Sequence, residues 1–181
     1  MSPLITTDLV RLDADLGADK HSVVRSLAAV LAAAGRSDDA EQVVTDALAR
    51  EAKSPTGMKG GIAIPHCRTA GVAVPTLVFA RLSPPVDFGA KDGPAELVFL
   101  IAAPEGGDNA HLQILTKLAR ALVRSEFTDG LRRADSHEDV VALVEDAVGQ
   151  APVASKPESV PSAAPTPPPS APVRRLVAVT A

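Results

Sequence analysis

Two apolar runs, residues 76–82 and 96–102, constrain the fold of this chain most strongly. They lack the regular alternation of apolar and polar residues that marks a strand with one face in water, so both faces of each run must be covered. Helical segments before and after the two runs can supply that cover. We therefore expect an α/β domain with three layers, α/β/α, around a mixed central sheet.

The helical and strand segments around these runs carry recognisable end signals. Asp19 is placed to cap a helix over residues 20–34, and Gly35 suits the position just after that helix. Asp38 and Glu41, three residues apart, resemble a capping box that starts a second helix. The other predicted segments are strands at 9–12 and 62–65, a helix at 108–124 and a last helix at 136–149, opened by Ser136 and Asp139.

The apolar pattern of the helix at 108–124 predicts which side of it meets the core. Four residues fall on one face at spacings of three and four, as expected for an amphipathic helix. These residues are Leu112, Leu115, Ala119 and Leu122. We expect this face to be buried.

The composition changes sharply after Gln150. Residues 151–172 contain eight of the 16 prolines in the 181-residue chain, and such a segment cannot build a core. We expect a folded domain over 1–150 and a disordered Pro/Ala/Ser-rich linker over 151–172. Residues 173–181 have the pattern of a single strand. They are either a disordered tail or the first strand of a second domain that is cut short.

Composition also excludes several classes of function. Aromatic residues are 2% of the chain and the formal net charge is -4, which argues against binding to nucleic acid. The single cysteine excludes an internal disulfide framework. No signal peptide is recognisable, and the longest apolar runs, 27–34 and 97–103, are too short to span a bilayer. We expect a cytoplasmic protein that does not insert into the membrane.

His66 is the strongest candidate for chemistry. It follows the apolar segment Ile62-Ala63-Ile64 and Pro65, which favours extended geometry in the residue before it. Imidazole is both a nucleophile and a proton carrier near neutral pH. From the residues alone, a histidine that satisfies a buried carbonyl at a strand end is an equally good interpretation.

The loop before this strand is rich in glycine and carries a hydroxyl group. Glycines let backbone N–H groups converge on an anion, so Thr56, Gly57 and Gly61 are candidates for binding phosphate. Arg50 ends the second predicted helix close to this loop. Its guanidinium either holds phosphate or complements the negative end of the helix dipole.

His111 lies near the start of a predicted helix, where unpaired N–H groups favour anions. A metal site of His66, Cys67 and His111 is disfavoured because neighbouring strand residues point to opposite faces. We therefore predict neither a metal nor a cofactor. His21 and His137 are predicted to be exposed surface residues.

Several separated stretches together resemble a known family. Residues 49–51 and 54–66 resemble the active-site signature of the fructose/mannitol-type enzyme IIA of the bacterial phosphoenolpyruvate-dependent sugar phosphotransferase system. Residues 86–93, with 97–105, resemble the central hairpin of that family. Residues 109–119 resemble the helix that carries its second histidine. The resemblance covers about residues 4–148, in order.

The resemblance implies a role for each candidate residue. His66 would accept a phosphoryl group from the phosphocarrier HPr and pass it to a cysteine of a IIB domain. His111 would stabilise the phosphorylated state, Arg50 would be the active-site arginine, and Thr56 would place a hydroxyl near the phosphate. No cofactor is implied.

The resemblance also suggests the biological setting. Residues 175–181 look like the first strand of a fructose-type IIB domain, which would work with a membrane IIC domain in a fructose permease. Two other interpretations stay open. One is a regulatory, nitrogen-type enzyme IIA that controls partner proteins through its phosphorylation state. The other is a non-catalytic domain that binds a small molecule.

Overall fold

A mixed sheet of six strands forms the centre of the protein, in a computed structural model that describes residues 2–106 and 109–149. The strand order is β1-β5-β6-β3-β2, and β4 also lies beside β6. The pairs β1/β5, β3/β6 and β4/β6 are parallel, whereas β5/β6 and β2/β3 are antiparallel. The strands are β1 (Val10–Ala14), β2 (Gly57–Met58), β3 (Ile62–Ala63), β4 (His66–Thr69), β5 (Thr76–Val86) and β6 (Ala95–Pro104).

The two apolar runs are β5 and β6, the central pair of the sheet. Phe79 lies opposite Phe99 in the ladder, and neither ring is exposed to solvent. The ring centroids are 5.0 Å apart and the planes are tilted by 54°, an arrangement that aromatic pairs favour. The prediction of two buried central strands is confirmed, although both strands extend beyond the predicted bounds.

The helices form two groups around this sheet. In one group α1 contacts α2, with α1 packed on β5 and α2 on β4. In the other, α3, α4 and α5 contact one another, and α5 reaches β1. This arrangement confirms the predicted α/β class. The helices are α1 (Lys20–Ala33), α2 (Ala40–Lys53), α3 (Ala110–Leu122), α4 (Ser125–Arg133) and α5 (His137–Gly149), and a short 3-10 turn (Thr7–Leu9) precedes β1.

Most of the predicted helix caps are confirmed. The Asp19 carboxylate accepts the backbone N–H of Ser22 at 2.8 Å, and Gly35 has the positive φ of 68° expected after a helix end. Ser136 accepts the N–H of Asp139 at 3.1 Å. The capping box that starts at Asp38 is wrong, however.

The residue that caps α2 is Asp39, one position later than predicted. Its carboxylate accepts the N–H of Gln42 at 3.0 Å, and the helix begins at Ala40. Glu41 therefore lies in the first turn, where its negative charge interacts favourably with the helix dipole. It is the second residue of the helix, one position before the one that completes a capping box. Two adjacent aspartates offered two possible starts, and only the backbone conformation decides between them.

Two features of the C-terminal half differ from what the sequence predicts. The helix α4 was not anticipated, because its sequence has a central glycine and few apolar residues. The predicted buried face of α3 is only partly correct, since Leu122 is buried but Leu112 is 56% exposed and Leu115 is half-buried. Besides Leu122, the face that meets the core carries His111, Leu118 and Ala121. Two overlapping sets of residues have helical spacing, and tertiary packing selects one.

Some predictions lie outside the described residues. These concern Asp108 at the start of the predicted third helix, the linker at 151–172 and the strand at 173–181, so the predicted domain boundaries stay predictions. Within the described ranges, every helix is too short or too polar to cross a membrane.

Candidate active site

The strand that carries His66 is interrupted just before the histidine. Ile62 pairs with Leu97 in β6 and His66 pairs with Ile101, so β3 and β4 follow β6 in one register. Pro65 has no N–H to give to a ladder, although its carbonyl oxygen accepts the N–H of Ile101 at 3.0 Å. The strand predicted over 62–65 is therefore shorter, Ile62–Ala63, and a second short strand follows it, with the histidine as its first residue.

The imidazole of His66 is held by the backbone. Its Nδ1 lies 2.8 Å from the carbonyl oxygen of Ile64. Since a carbonyl only accepts, Nδ1 must carry the proton. In the neutral ring the lone pair is then on Nε2, to which none of the described residues is hydrogen-bonded. Because His66 is half-buried and lines a cleft, Nε2 is the ring atom available for reaction.

His111 lies beside His66. The two ring centroids are 5.7 Å apart, and the ring planes are tilted by 43°. His111 is the second residue of α3 and is only 7% exposed. Its Nδ1 is buried, and no described residue is hydrogen-bonded to it. Such an unsatisfied buried group is unfavourable and is more typical of functional sites than of ordinary cores.

The surroundings keep both histidines neutral. Burial lowers the pKa of His66, and the nearby charge of Arg50 lowers it further, against the opposing effects of the Ile64 carbonyl and Glu51. Burial also lowers the pKa of His111, with smaller contributions from the charges of His66 and Arg68. A neutral imidazole at position 66 has the free lone pair that a nucleophile needs.

The two histidines open onto a cleft of about 550 Å³ at the β4 edge of the sheet, between α2 and α3. Three cationic residues and one acidic residue line it, so the cleft favours an anion. The cations are Arg50, Lys53 and Arg68, and the acid is Asp46. Arg50 also donates from Nη1 to the carbonyl oxygen of Ser54 at 3.2 Å.

The candidate phosphate-binding residues of the glycine-rich loop, Thr56, Gly57 and Gly61, do not line the cleft. The N–H and hydroxyl of Thr56 both donate to Glu51, and the N–H of Gly57 donates to the carbonyl oxygen of Phe88 at 3.1 Å. In this conformation the N–H of Gly57 and both donors of Thr56 are used within the protein. A direct phosphate contact from these three residues stays a prediction.

Within the described residues, no group of three or more His, Cys, Asp or Glu side chains could hold a metal ion. Cys67 is buried, with Sγ 3.9 Å from the carbonyl oxygen of Val43. Burial raises the pKa of this thiol to about 12, so it is protonated near neutral pH. His21 and His137 are exposed, as predicted.

Comparison with known proteins identifies the family. The model of the family "Phosphoenolpyruvate-dependent sugar phosphotransferase system, EIIA 2" matches residues 3–147. The chain belongs to this family. This match confirms the family resemblance inferred from the sequence. EIIA components are phosphotransferases that act through a phosphohistidine.

Named relatives include a fructose-specific EIIABC component of Bacillus subtilis, 37% identical over 145 residues. That match covers 80% of this chain but only 23% of the relative. A fructose-specific EIIA component of Haloferax volcanii is 35% identical over 149 residues, which are 82% of this chain and 96% of the relative.

Solved structures of EIIA proteins share the fold. The nitrogen regulatory protein IIA-Ntr of Neisseria meningitidis is 32% identical, with a TM-score of 0.71, over 78% of this chain and 96% of that one. The Escherichia coli mannitol enzyme IIA, in a complex with its phosphorylated enzyme IIB, is 27% identical with a TM-score of 0.65. That match covers 78% of this chain and 97% of the solved one.

Sequence reasoning missed several residues that line this EIIA cleft, among them Lys53, Arg68, Leu112 and Leu115. For Arg68 a signal existed, because it is two residues after His66 and side chains two apart share a face of a strand. Leu112 follows His111 directly and Leu115 lies one helical turn beyond it, but their apolar character favoured a place in the core.

Proposed function

We propose that this EIIA chain carries the phosphoryl group on Nε2 of His66. The observation that supports this most directly is the 2.8 Å contact of Nδ1 with the Ile64 carbonyl, which leaves the Nε2 lone pair free at a cationic cleft. The lowered pKa of His66 keeps this lone pair available near neutral pH.

In the proposed step, Nε2 of His66 attacks the phosphorus of a phosphorylated donor in line. A new nitrogen–phosphorus bond forms while the bond to the donor breaks, and its electron pair leaves with the donor. The His66 ring gains positive charge in this step. The Ile64 carbonyl, which accepts a hydrogen bond from Nδ1–H, stabilises that charge. Arg50, Lys53 and Arg68 stabilise the negative phosphoryl oxygens.

His111 has a supporting role in this proposal. Its ring is neutral in the free protein, where burial lowers its pKa. A dianionic phosphoryl group on His66, whose ring centre is 5.7 Å away, favours the protonated form of His111. The imidazolium then donates a hydrogen bond to the phosphoryl group and stabilises the phosphorylated state.

We propose phosphorylated HPr as the donor and a cysteine of a IIB domain as the acceptor, in a fructose permease with a membrane IIC domain. The fructose-specific names of the Bacillus and Haloferax relatives support this assignment. The complex of the mannitol enzyme IIA with its phosphorylated IIB supports a IIB partner. In this setting 151–172 would be a linker and 173–181 the first strand of IIB.

Phosphoryl transfer can be tested directly. The chain is incubated with phosphoenolpyruvate, enzyme I and HPr, and acid-labile, base-stable phosphate is measured. His66→Ala is expected to abolish labelling, whereas His137→Ala, the matched change of an exposed histidine, should not alter it. Unchanged labelling of His66→Ala would reject the proposal. His111→Ala should remain folded but transfer more slowly, and a normal rate would remove it from the mechanism.

A regulatory EIIA of the nitrogen type is the second candidate, supported by the likeness to the Neisseria protein. The same histidine would be phosphorylated, but the output would be binding to a partner protein. Transfer from the phosphorylated chain to a purified fructose-type IIB domain separates the two. Rapid transfer supports the sugar pathway, and stable phosphohistidine in the presence of IIB supports regulation.

A further inference from the structure

Glu51 is a buried carboxylate at the edge of the active site. It is in the last turn of α2, next to Arg50, and its side chain is 1% exposed. A carboxylate is unfavourable in such a place unless hydrogen bonds and an opposite charge compensate for the lost water. Its contacts therefore indicate what the burial achieves.

Those contacts go mainly to one residue. The N–H of Thr56 lies 3.1 and 3.2 Å from the two carboxylate oxygens of Glu51, and the Thr56 hydroxyl donates to Oε2 at 2.6 Å. The ammonium of Lys20 is 3.7 Å from Oε1. Both hydrogen-bond donors of Thr56 thus bind a single carboxylate, which holds the start of the glycine-rich loop against α2.

From Thr56 the hydrogen bonds continue to the reactive histidine. The N–H of Ile64 donates to the carbonyl oxygen of Thr56 at 3.2 Å. The carbonyl oxygen of Ile64 accepts the Nδ1 proton of His66 at 2.8 Å. Ile64 is therefore held from one side by Thr56, and from the other side it holds the imidazole.

We infer that Glu51 is a positioning residue for phosphoryl transfer at His66, acting through Thr56 and Ile64. The inference rests on the proposed function, in which His66 accepts the phosphoryl group. When Thr56 is released from Glu51, Ile64 is free to shift. The imidazole then loses both its orientation and the bond that keeps the proton on Nδ1.

A purely electrostatic role for Glu51 predicts the opposite result. The Glu51 charge raises the pKa of His66, so removing that charge leaves more of the neutral nucleophile. Glu51→Gln would then transfer as fast as the wild type or faster. Slower transfer, in contrast, is what loss of position predicts.

The test measures transfer from phosphorylated HPr to the full chain by rapid quench. Glu51→Gln and Thr56→Val are expected to lower the maximal rate by about 10- to 100-fold, the range that small misplacements cause. The KM for phosphorylated HPr should stay within about twofold, because both substituted side chains are buried and the protein surface is unchanged. Thr56→Ser retains both donors and should transfer within about threefold of the wild type.

A second measurement reports on the orientation of the His66 ring independently of the transfer rate. The ¹⁵N chemical shifts of the His66 ring distinguish a proton on Nδ1 from one on Nε2. The wild type should show the Nδ1–H form, and Glu51→Gln and Thr56→Val should show a mixture. Thr128→Val is the matched control, because Thr128 is similarly buried at 6% and its hydroxyl donates to the Ser125 carbonyl in α4.

The outcomes separate this inference from the proposed function. Wild-type rates and unchanged ¹⁵N shifts in Thr56→Val would overturn the inference, even if its stability falls as much as that of Thr128→Val. Normal labelling of His66→Ala would overturn the proposed function instead. If Glu51→Gln does not fold, Thr56→Val decides the matter, because it keeps the buried charge and its two N–H contacts.

Discussion

Arg81 joins the central sheet to α4, and replacing it by methionine should measure the strength of that connection. The side chain is 13% exposed. Its Nη1 donates to the carbonyl oxygens of Leu131, Arg132 and Ala134 at 3.1, 2.9 and 2.9 Å. Nε and Nη2 donate to the carboxylate of Asp13, each at 2.7 Å. The guanidinium thus completes the C-terminal end of a helix that has no cap of its own.

The expected magnitude follows from these contacts. The three carbonyls share one nitrogen, so we count them as a single charged hydrogen bond, which contributes about 1.5–3 kcal/mol. The Asp13 side chain is 66% exposed to water, so its pair with Arg81 adds little. Methionine keeps the apolar stem. Arg81→Met should therefore lower the free energy of unfolding by about 1.5–3 kcal/mol, and the melting temperature by about 3–12 °C for a domain of this size.

Urea denaturation at pH 7 provides the measurement, with Arg133→Met as the control. Arg133 is exposed on the same helix, and among the described residues its Nε donates only to the Asp129 carbonyl at 3.2 Å. Its replacement should change the unfolding free energy by less than about 0.5 kcal/mol. Equal effects of the two substitutions would refute the role assigned to Arg81.

The pH dependence gives an independent check on Arg81. Its hydrogen bond to Asp13 is the main reason that the pKa of that carboxyl is lowered. A lowered pKa means that the contribution is present above the unfolded value of about 3.9 and is lost as the pH falls through the folded value. Arg81→Met should lack this part of the acid destabilisation.

Three further predictions concern acid stability, the glycine-rich loop and the core. Because the pKa of His66 is lowered on folding, the unfolded chain binds more protons than the folded one below about pH 6.5, so the protein becomes less stable as the pH falls there. His66→Gln should make this decrease in urea midpoints shallower. Gly57→Ala would place a Cβ 2.7 Å from the Phe88 carbonyl oxygen; a loss of about 1–3 kcal/mol is expected in urea unfolding, and wild-type stability would contradict that clash. Phe99→Ala removes the ring packed on Phe79 and should destabilise by about 3–5 kcal/mol by the same assay, whereas a loss below about 1 kcal/mol would mean that the core closes around the gap.

The sequence predicted the elements whose signals are local. The runs at 76–82 and 96–102 had to be covered strands, because a continuous apolar run is unfavourable in water wherever it lies. Asp19 and Gly35 mark the ends of one helix through contacts and torsions within a few residues. The sequence also showed that His66 follows a proline at the end of a predicted strand.

Other features depended on contacts between distant segments. The helix α4 has weak local signals, and it is held by Arg81, which is 50 residues away along the chain from the first of its carbonyl partners. Leu112 has the character of a core residue, yet it is exposed because α3 turns another face to the core. No local pattern reports which of two possible faces a neighbouring layer will cover.

The same division applies to the active site. By itself the sequence was enough to single out His66 and His111 as candidates and to indicate the family to which the chain belongs. Only the tertiary structure decided that Arg68 and Lys53 complete a cationic cleft, and that Thr56 donates to Glu51 within the protein. The reason is that side-chain chemistry is a property of the residue, whereas a hydrogen-bond partner is set by the packing of segments that are far apart in the chain.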